Sequence, residues 1–410
     1  MKRHFLTLAL GLCLLLAGAQ SAMASGFALY EWSARGNALG GTLVGRADDA
    51  SAIAFNPAGI TQLEGTHIQA GFSAIRPMAE LSIGNETTKG ADNTWLPPHA
   101  YVTHKLNDKW SIGAGVFSRF GLGTEYEEDH WPGSQNIYYA AIQTVSFAPT
   151  IAYKISDTLS IGGGIEFMHV SLEMKKDKFF GPQGMRDATL DAEGDGVGFH
   201  AGLHWKPNDQ WRVGLSYRSQ IEIGASGTQK FDPAVNLGFG PVSSLSASGT
   251  VVLPDMIAAG ITYYPMQNLS IEVAAMMTRW STYNEFRVTS NDLPGDGVLL
   301  DDKKDWNDVM RYSVGVEYGF NEWLDLRAGY VFDESPVEAK YADYIVPGND
   351  RHLFNVGAGF KWNRWTADVS YTYLWMKGRD FAESEAVAAT RGSAHDSYAH
   401  IYGITVGYQF

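Results

Sequence analysis

The feature that most constrains the fold of this chain is an alternation of apolar and polar residues with period two. At the C-terminus one face consists of Tyr402, Ile404, Val406, Tyr408 and Phe410, and the other of Gly403, Thr405, Gly407 and Gln409. Residues 311–320 repeat the pattern, and all their charges fall on one face. Because successive side chains of a strand point to opposite sides, these runs predict β-strands with one apolar and one polar face.

Short polar turns that lead into a Trp or Leu recur six times and supply the strand count. They lie at 107–110, 156–159, 208–211, 266–269, 321–323 and 363–365. Six hairpins give 12 strands, and one strand near 65–75 and one ending at Phe410 bring the total to 14. An even number lets the sheet close. The sequence therefore predicts an all-β fold, a 14-stranded antiparallel transmembrane β-barrel over residues 65–410.

The connections at the other end of the strands are long, irregular and often acidic. They cover residues 122–141, 175–192, 225–245, 286–307, 333–350 and 378–395, and we expect them to be extracellular loops. A soluble two-layer β-sandwich also alternates, but it gives no reason for loops that are short at one end and long at the other. The richness in aromatic residues, with 12 Trp, 20 Tyr and 20 Phe, favours the barrel, which uses them as girdles.

The first 24 residues are typical of a cleaved secretory signal. Lys2 and Arg3 precede an apolar run at 5–16, and residues 22–24 form a small-x-small cleavage site, so the mature chain should begin at Ser25. The run is too short to span a bilayer, which disfavours an uncleaved anchor. Cleavage removes the only cysteine, Cys13, and with it thiol chemistry. It also takes the net charge from −14 to −16, which disfavours nucleic-acid binding.

Residues 25–64 lack the alternation and are rich in glycine around Asn56-Pro57-Ala58. A 14-stranded barrel is too wide to be filled by its own wall, so a compact segment of this length predicts a hatch inside the lumen. The alternative is a flexible periplasmic tail, because glycine richness also marks disorder.

No catalytic motif is present, so we expect no enzyme activity, no cofactor and no metal. The acids of 191–196 lack the full ligand spacing of a calcium loop and favour a solvated loop. His169, His200 and His204 are expected to be lumen or girdle residues rather than ligands. Charged residues in predicted strands share the lumen face: Glu166, Glu272, Arg311, Glu317, Asp325, Arg327, Lys361 and Asp368.

A series of short motifs resembles one family along nearly the whole mature chain. The motifs are Gly26-Phe27, 47–50, Asn56-Pro57-Ala58, 95–97, 119–126, 253–256, 279–281, 306–308 with Arg311, 333–337 and 346–351. In this order and spacing they resemble the FadL-type outer-membrane transporters of long-chain fatty acids and other hydrophobic compounds.

The resemblance implies passive uptake of long-chain fatty acids or related hydrophobic molecules. In the family the ligand lands in an apolar groove between extracellular loops, enters a lumen pocket near the mature N-terminus, and leaves sideways into the outer-membrane lipid at a kink in the third strand. The hatch motif corresponds here to Asn56, Pro57 and Ala58, and the kink region to Gly121, at the end of a strand expected over 110–121. A monomer is expected.

The resemblance also suggests ligand contacts. Phe27 and Leu29 would reach the inner pocket, and Phe179, Phe180 and Phe231 would contribute to the landing groove. Lys176 corresponds to a basic residue for the fatty-acid carboxylate, with Arg311 or Arg351 assisting, although Lys175 could serve equally. Uptake of neutral aromatic hydrocarbons by the same route remains an alternative, and an outer-membrane lipase or a polar porin are more distant ones.

Overall fold

The computed structural model describes residues 26–126 and 130–410, and fourteen antiparallel strands among them close into a barrel. The predicted signal at 1–24 lies outside the described residues. The strands are β1 (Thr66–Ile83), β2 (Pro98–Lys105), β3 (Trp110–Phe117 and Gly121–Glu125), β4 (Tyr139–Lys154), β5 (Leu159–Phe179), β6 (Met185–Trp205), β7 (Trp211–Arg218 and Ile221–Asn236), β8 (Pro241–Leu253 and Met256–Met266), β9 (Leu269–Thr278 and Glu285–Thr289), β10 (Val298–Lys303 and Val309–Gly319), β11 (Leu324–Asp333), β12 (Arg351–Trp362), β13 (Trp365–Met376) and β14 (Ser393–Gln409).

Pairing between the first and last strands closes the sheet, because β14 lies against β1 from His67↔Gln409 to Ser82↔Ser393. The six predicted turns all join consecutive strands, and the predicted total of 14 is confirmed. Among the described residues, no helix has the length and apolar character needed to span a bilayer.

The two faces of each strand differ as the alternation predicts. On β12, Phe354 is 53% exposed on the outer face, whereas its neighbour Asn355 is 4% exposed on the inner face. Exposed tryptophans cluster at the ends of strands next to the short turns, namely Trp110, Trp205, Trp211, Trp323, Trp362 and Trp365. An apolar outer band bordered by aromatic rings is the surface that a barrel presents to lipid.

Two of the predicted extracellular loops are in fact strands. Pairing of β5 with β6 continues to Phe179↔Met185, and pairing of β7 with β8 continues to Asn236↔Pro241, so residues 175–192 and 225–245 are mostly ladder. Residues 191–196 accordingly belong to β6 and not to a solvated loop. The inner face of these extensions is still buried at Ala188, Leu190 and Phe231, but the outer face carries charged residues such as Asp191 and Glu193, so the apolar outer face is lost although the backbone hydrogen bonds persist.

The segment before β1 lies inside the barrel. It contains α1 (Ala34–Ala38), α2 (Ala52–Phe55) and a 3-10 helix (Pro57–Gln62), which pack against the inner faces of several strands. Asn56 caps the 3-10 helix by accepting a hydrogen bond from the Ala58 N–H, and its amide donates to the carbonyls of Val44 and Leu203. The predicted Asn-Pro-Ala motif therefore fastens the segment both to itself and to the wall.

Buried charges of the barrel wall hold the same segment. The carboxylate of Glu272 accepts from the backbone N–H groups of Val44, Gly45 and Arg46 at 3.0, 3.0 and 2.8 Å. The Arg46 guanidinium in turn donates to the carbonyl of Gly315 at 2.9 Å. Both side chains are fully buried, so these bonds are shielded from water and strong.

Glycines in the wall allow the hatch backbone to approach the strands closely. A Cβ at Gly214 would overlap the carbonyl oxygen of Val44, and one at Gly162 would lie 2.6 Å from the carbonyl carbon of Pro57. The lumen-facing glycines are thus sites of close backbone contact rather than incidental small residues.

Replacing Gly214 by valine should displace the hatch and open the lumen, because the added methyl groups occupy the position of the Val44 backbone. We expect large steady currents in planar bilayers from this variant and small ones from the parent. Gly224→Val is the matched control, since a Cβ there meets nothing within 4 Å. Parent-like currents from a correctly folded Gly214→Val barrel would contradict the expectation.

Candidate ligand-binding site

An apolar cavity lies within the barrel and extends between the inner faces of β4, β5, β6 and β8. The empty space along it, open solvent at its mouth included, amounts to about 1010 Å³. Its aliphatic lining is Ala140, Ile142, Val170, Leu172, Met174, Leu190, Ala192, Ala225, Ala247, Val251, Leu253, Val288, Ile345 and Val346. Such a lining suits a hydrophobic molecule without directional contacts.

Aromatic rings line one part of the cavity. Phe27, Tyr283 and Trp306 face it, and the ring of Phe27 packs against Trp280 and Trp306 at centroid distances of 4.7 and 5.7 Å. The indole N–H groups of Trp280 and Trp306 are buried and have no partner among the described residues. Phe27 is thus held by interlocked rings whose main contribution is apolar contact.

A buried ion pair interrupts the apolar lining, and the more exposed Arg287, which pairs with Asp301, also lines the cavity. Lys304, 5% exposed, pairs with Asp343 at an Nζ–Oδ2 distance of 2.5 Å. The other oxygen of Asp343 accepts from the backbone N–H of Ile345 at 3.0 Å, which fixes the carboxylate. Burial opposes the charged ammonium, but the charges of Asp343, Tyr283 and Asp302 outweigh it and raise the pKa of Lys304. Lys304 therefore remains a cation at neutral pH.

The third strand is broken beside this cavity. Its ladder with β4 includes Phe117↔Ser146 and resumes at Gly121↔Gln143, so β3 carries one extra residue across the break. Its ladder with β2 ends at Ala100↔Val116. On this side β3 has no ladder partner from the break until Glu125 and Tyr126, which pair with Ala91 and Gly90, and this leaves a gap in the ladder.

The N-terminal residues occupy this gap as a short strand. Leu29 N–H donates to the carbonyl of Arg119, and Gly121 N–H donates to the carbonyl of Phe27, both at 2.8 Å. Ala28 and Phe120 are antiparallel partners between these two bonds. A Cβ at Gly121 would lie 2.6 Å from Cδ1 of Leu29. Phe27, which lines the cavity, thus belongs to the segment that covers the gap.

The structure places the predicted apolar contacts at several separate positions. Phe27 lines the cavity and Leu29 lies at the gap. Phe180 and Phe231 stack edge to face at 5.5 Å in a separate apolar cluster, the apical cluster, which also contains Val235, Leu237 and Leu245. Phe179 is 62% exposed and lies outside that cluster.

The predicted basic residues do not converge on the cavity. Arg311 and Arg351 both pair with Asp333, at 2.9 and 2.6 Å, and Arg311 also lies over the ring of Tyr30. Neither residue lines the cavity, nor does Lys176. A role of these residues in ligand binding stays a prediction.

The sequence did not reveal Lys304 as the buried basic residue of the cavity wall. Lys304 and Asp343 are separated by 39 positions in irregular segments, where no periodicity relates them. The sequence shows Trp306 only as part of a motif, with nothing to indicate its contact with Phe27.

A group of three side chains away from the cavity has the spacing of cation ligands. Ligand atoms of Glu80, His395 and Asp396 lie within 4.8 Å of one another near the ends of β1 and β14. Surface acids commonly form such groups without a metal.

The sequence comparison agrees with this architecture. The family model described as "Outer membrane protein transport protein (OMPP1/FadL/TodX)" matches residues 15–410. The chain belongs to this family. Its members are outer-membrane transport proteins rather than an enzyme family, and this β-barrel is accordingly an outer-membrane protein.

Curated relatives match over most of their length. The long-chain fatty acid transport protein of Escherichia coli O6:H1 is 26% identical over 100% of this chain and 99% of its own. The protein of the same name from Salmonella typhi is 26% identical over 86% of this chain and 88% of its own.

Solved structures share the fold. A Pseudomonas aeruginosa FadL homologue superposes with a TM-score of 0.83 at 17% identity, over 94% of this chain and 100% of that one. A Ralstonia pickettii toluene transporter superposes with a TM-score of 0.73 at 16% identity, over 93% and 99%.

Proposed function

We propose that the protein takes up long-chain fatty acids or similar amphiphiles passively across the outer membrane. The observation that carries this proposal is an apolar cavity with one buried cation, Lys304, in its wall. An aliphatic chain fits the lining, and a carboxylate fits the cation. The relatives named as long-chain fatty acid transport proteins support the same ligand class.

Capture is assigned to the apical cluster and its exposed neighbour Phe179. Apolar side chains raised above the membrane on the extensions of β5–β8 offer a first contact to a hydrophobic solute. Transfer from there to the cavity needs no energy source, because each CH₂ group removed from water gains about 0.8 kcal/mol.

Lys304 has donors to spare for a ligand. An ammonium carries three N–H donors, and Asp343 uses one of them. A ligand carboxylate can therefore bind Lys304 without breaking the pair with Asp343. Because the surroundings exclude water, such a contact is stronger than the same contact at the surface.

Lys304→Met should weaken oleate binding by about 10- to 100-fold, because a hydrogen bond to a charged group contributes about 1.5–3 kcal/mol. Binding of oleyl alcohol should change much less. Titration of the purified protein, followed by the fluorescence of the tryptophans beside Phe27, measures both affinities.

The neighbouring Lys303 provides the matched control, since its side chain is 59% exposed and pairs with Asp305. Lys303→Met should bind oleate like the parent. Equal losses for oleate and oleyl alcohol in Lys304→Met would show that the residue shapes the cavity without recognising a carboxylate.

Release is assigned to the gap at β3. Once the strand Phe27–Leu29 withdraws, the cavity would face the hydrocarbon core of the membrane directly. A hydrophobic ligand then moves sideways from protein to lipid without crossing water. This route requires that the gap face lipid, as it does when the barrel is a monomer. The hydrogen bonds that Leu29 and Gly121 give up are the ones that must be replaced during opening.

A disulfide between Ala28→Cys and Phe120→Cys should block uptake, because it locks the N-terminal strand into the gap. The two positions are direct antiparallel partners, which is the spacing a disulfide requires. Labelled-oleate uptake by cells that lack their own transporter should be lost under oxidation and return after reduction. The mature chain after residue 24 has no other cysteine, so the cross-link is unambiguous.

The single variants Ala28→Cys and Phe120→Cys control for the loss of each side chain. Undiminished uptake by the fully cross-linked protein would exclude release through this gap.

A second candidate ligand is a neutral aromatic hydrocarbon, favoured by the rings of Phe27, Tyr283 and Trp306 in the cavity wall. The toluene transporter of Ralstonia pickettii shares the fold. The Lys304→Met variant separates the two candidates: toluene uptake that is robust in the parent and unaffected by the substitution, with no saturable oleate uptake, would favour the hydrocarbon.

A further inference from the structure

Arg119 lies in the break of β3 and extends its side chain to strands that are not neighbours of β3. The guanidinium, which is fully buried, donates to the carbonyl of Pro254 at 3.1 Å and to the carbonyl of Ser219 at 3.4 Å. It also approaches Glu166 of β5 at 3.4 Å. One side chain thus connects the break with three other strands of the barrel.

The carbonyls that Arg119 contacts belong to two further breaks. Ser219 separates the halves of β7, and Pro254 separates the halves of β8. The two breaks lie side by side, because Met256 pairs with Arg218. Interrupted strands leave backbone carbonyls without ladder partners, and Arg119 donates to these groups.

Charge does not balance around this side chain. Arg119 shares Glu166 with Arg218, whose guanidinium lies closer to the carboxylate, at 2.8 Å. The hydroxyl of Ser146 also donates to Glu166, at 2.7 Å. Two arginines therefore face one carboxylate, and Nε of Arg119 has no partner among the described residues. A buried cation with long contacts is costly to keep for stability alone. The free-energy cost of burying the Arg119 guanidinium is consistent with a functional role of this residue.

The backbone of Arg119 faces the other way, toward the N-terminal strand. Its carbonyl accepts the hydrogen bond from Leu29 N–H at 2.8 Å. The residue therefore joins the strand that covers the gap to the breaks of β7 and β8. The next residue, Phe120, is held to β4 by Thr144, whose hydroxyl donates to the Phe120 carbonyl at 2.7 Å.

We propose that Arg119 is a positioning residue for ligand release, an inference that rests on the proposed lateral uptake. Its side chain holds residues 118–120 inward, away from β2, and so keeps the wall broken where the N-terminal strand enters. Without that hold the segment is free to move outward and the gap narrows. Arg119 sets the release step and does not contribute to affinity in the cavity, whose lining it does not join.

Uptake and binding measured on the same variants test the proposal. Arg119→Met removes the donors while keeping an unbranched, flexible side chain, and oleate uptake should fall by about tenfold or more, as the loss of charge-assisted bonds implies. Oleate affinity should stay within about twofold of the parent. Arg119→Lys, which can still reach a carbonyl, should recover part of the uptake.

Two variants serve as controls in the same assay. Arg212→Met removes an arginine whose side chain donates to the carbonyls of Asn208, Asp209 and Trp211 near the turn after β6, and should leave uptake unchanged. Thr144→Val frees Phe120 from β4 but leaves the contacts of Arg119, and should reduce uptake less than Arg119→Met. Parent-like uptake by Arg119→Met, or an equal loss of uptake and affinity, would overturn the proposal.

A second measurement does not depend on transport. In the Ala28→Cys/Phe120→Cys protein, the rate of disulfide formation reports where the break lies relative to the N-terminal strand. Adding Arg119→Met should slow it by about tenfold, and adding Arg212→Met should not. An unchanged rate overturns the role of Arg119 even if uptake fails for other reasons. Absence of saturable oleate uptake in the parent would instead reject the proposed function.

Discussion

A bilayer offers no water to backbone N–H and C=O groups, so every such group at membrane depth needs a partner within the protein. The closed ladder from β1 to β14 meets this requirement for most of the wall. The break in β3 is one of the places where the ladder is interrupted, and the structure satisfies it with groups from outside the ladder. Phe27 and Leu29 bond the exposed backbone from the N-terminal side, and Thr144 bonds it from β4. The interrupted backbone of β3 is thus satisfied by hydrogen bonds that do not belong to the regular ladder.

The same constraint explains the contents of the lumen. Fourteen strands enclose more space than their own side chains fill, so the segment 26–65 is packed inside and its backbone groups need partners there as well. Glu272 and Asn56 supply them from opposite sides of the segment. Glycines such as Gly214 let backbone lie on backbone. The segment is therefore anchored by polar bonds, whereas the cavity beside it is almost entirely apolar.

Charge is placed sparingly around that cavity. Lys304 is paired with Asp343, and an ammonium has three donors, of which this carboxylate accepts one. Next to the break in β3, by contrast, Arg119 and Arg218 share the single carboxylate of Glu166. The first arrangement suits selection of a ligand, and the second suits control of wall geometry. Both depend on the exclusion of water, which makes single polar contacts count.

The amino-acid sequence by itself determined the barrel and its 14 strands, because alternation and short turns are local signals, whereas glycine richness alone left a hatch and a flexible tail both open for the segment before them. It failed for residues 175–192, where charged residues on the outer face of the strands remove the apolar face of the alternation. It placed Phe27 near the pocket through family resemblance, but it gave no indication of Lys304 with Asp343, or of Arg119 with Pro254. Those contacts join residues far apart in the chain, and only closure of the barrel, which brings distant strands around one lumen, decides which of them meet.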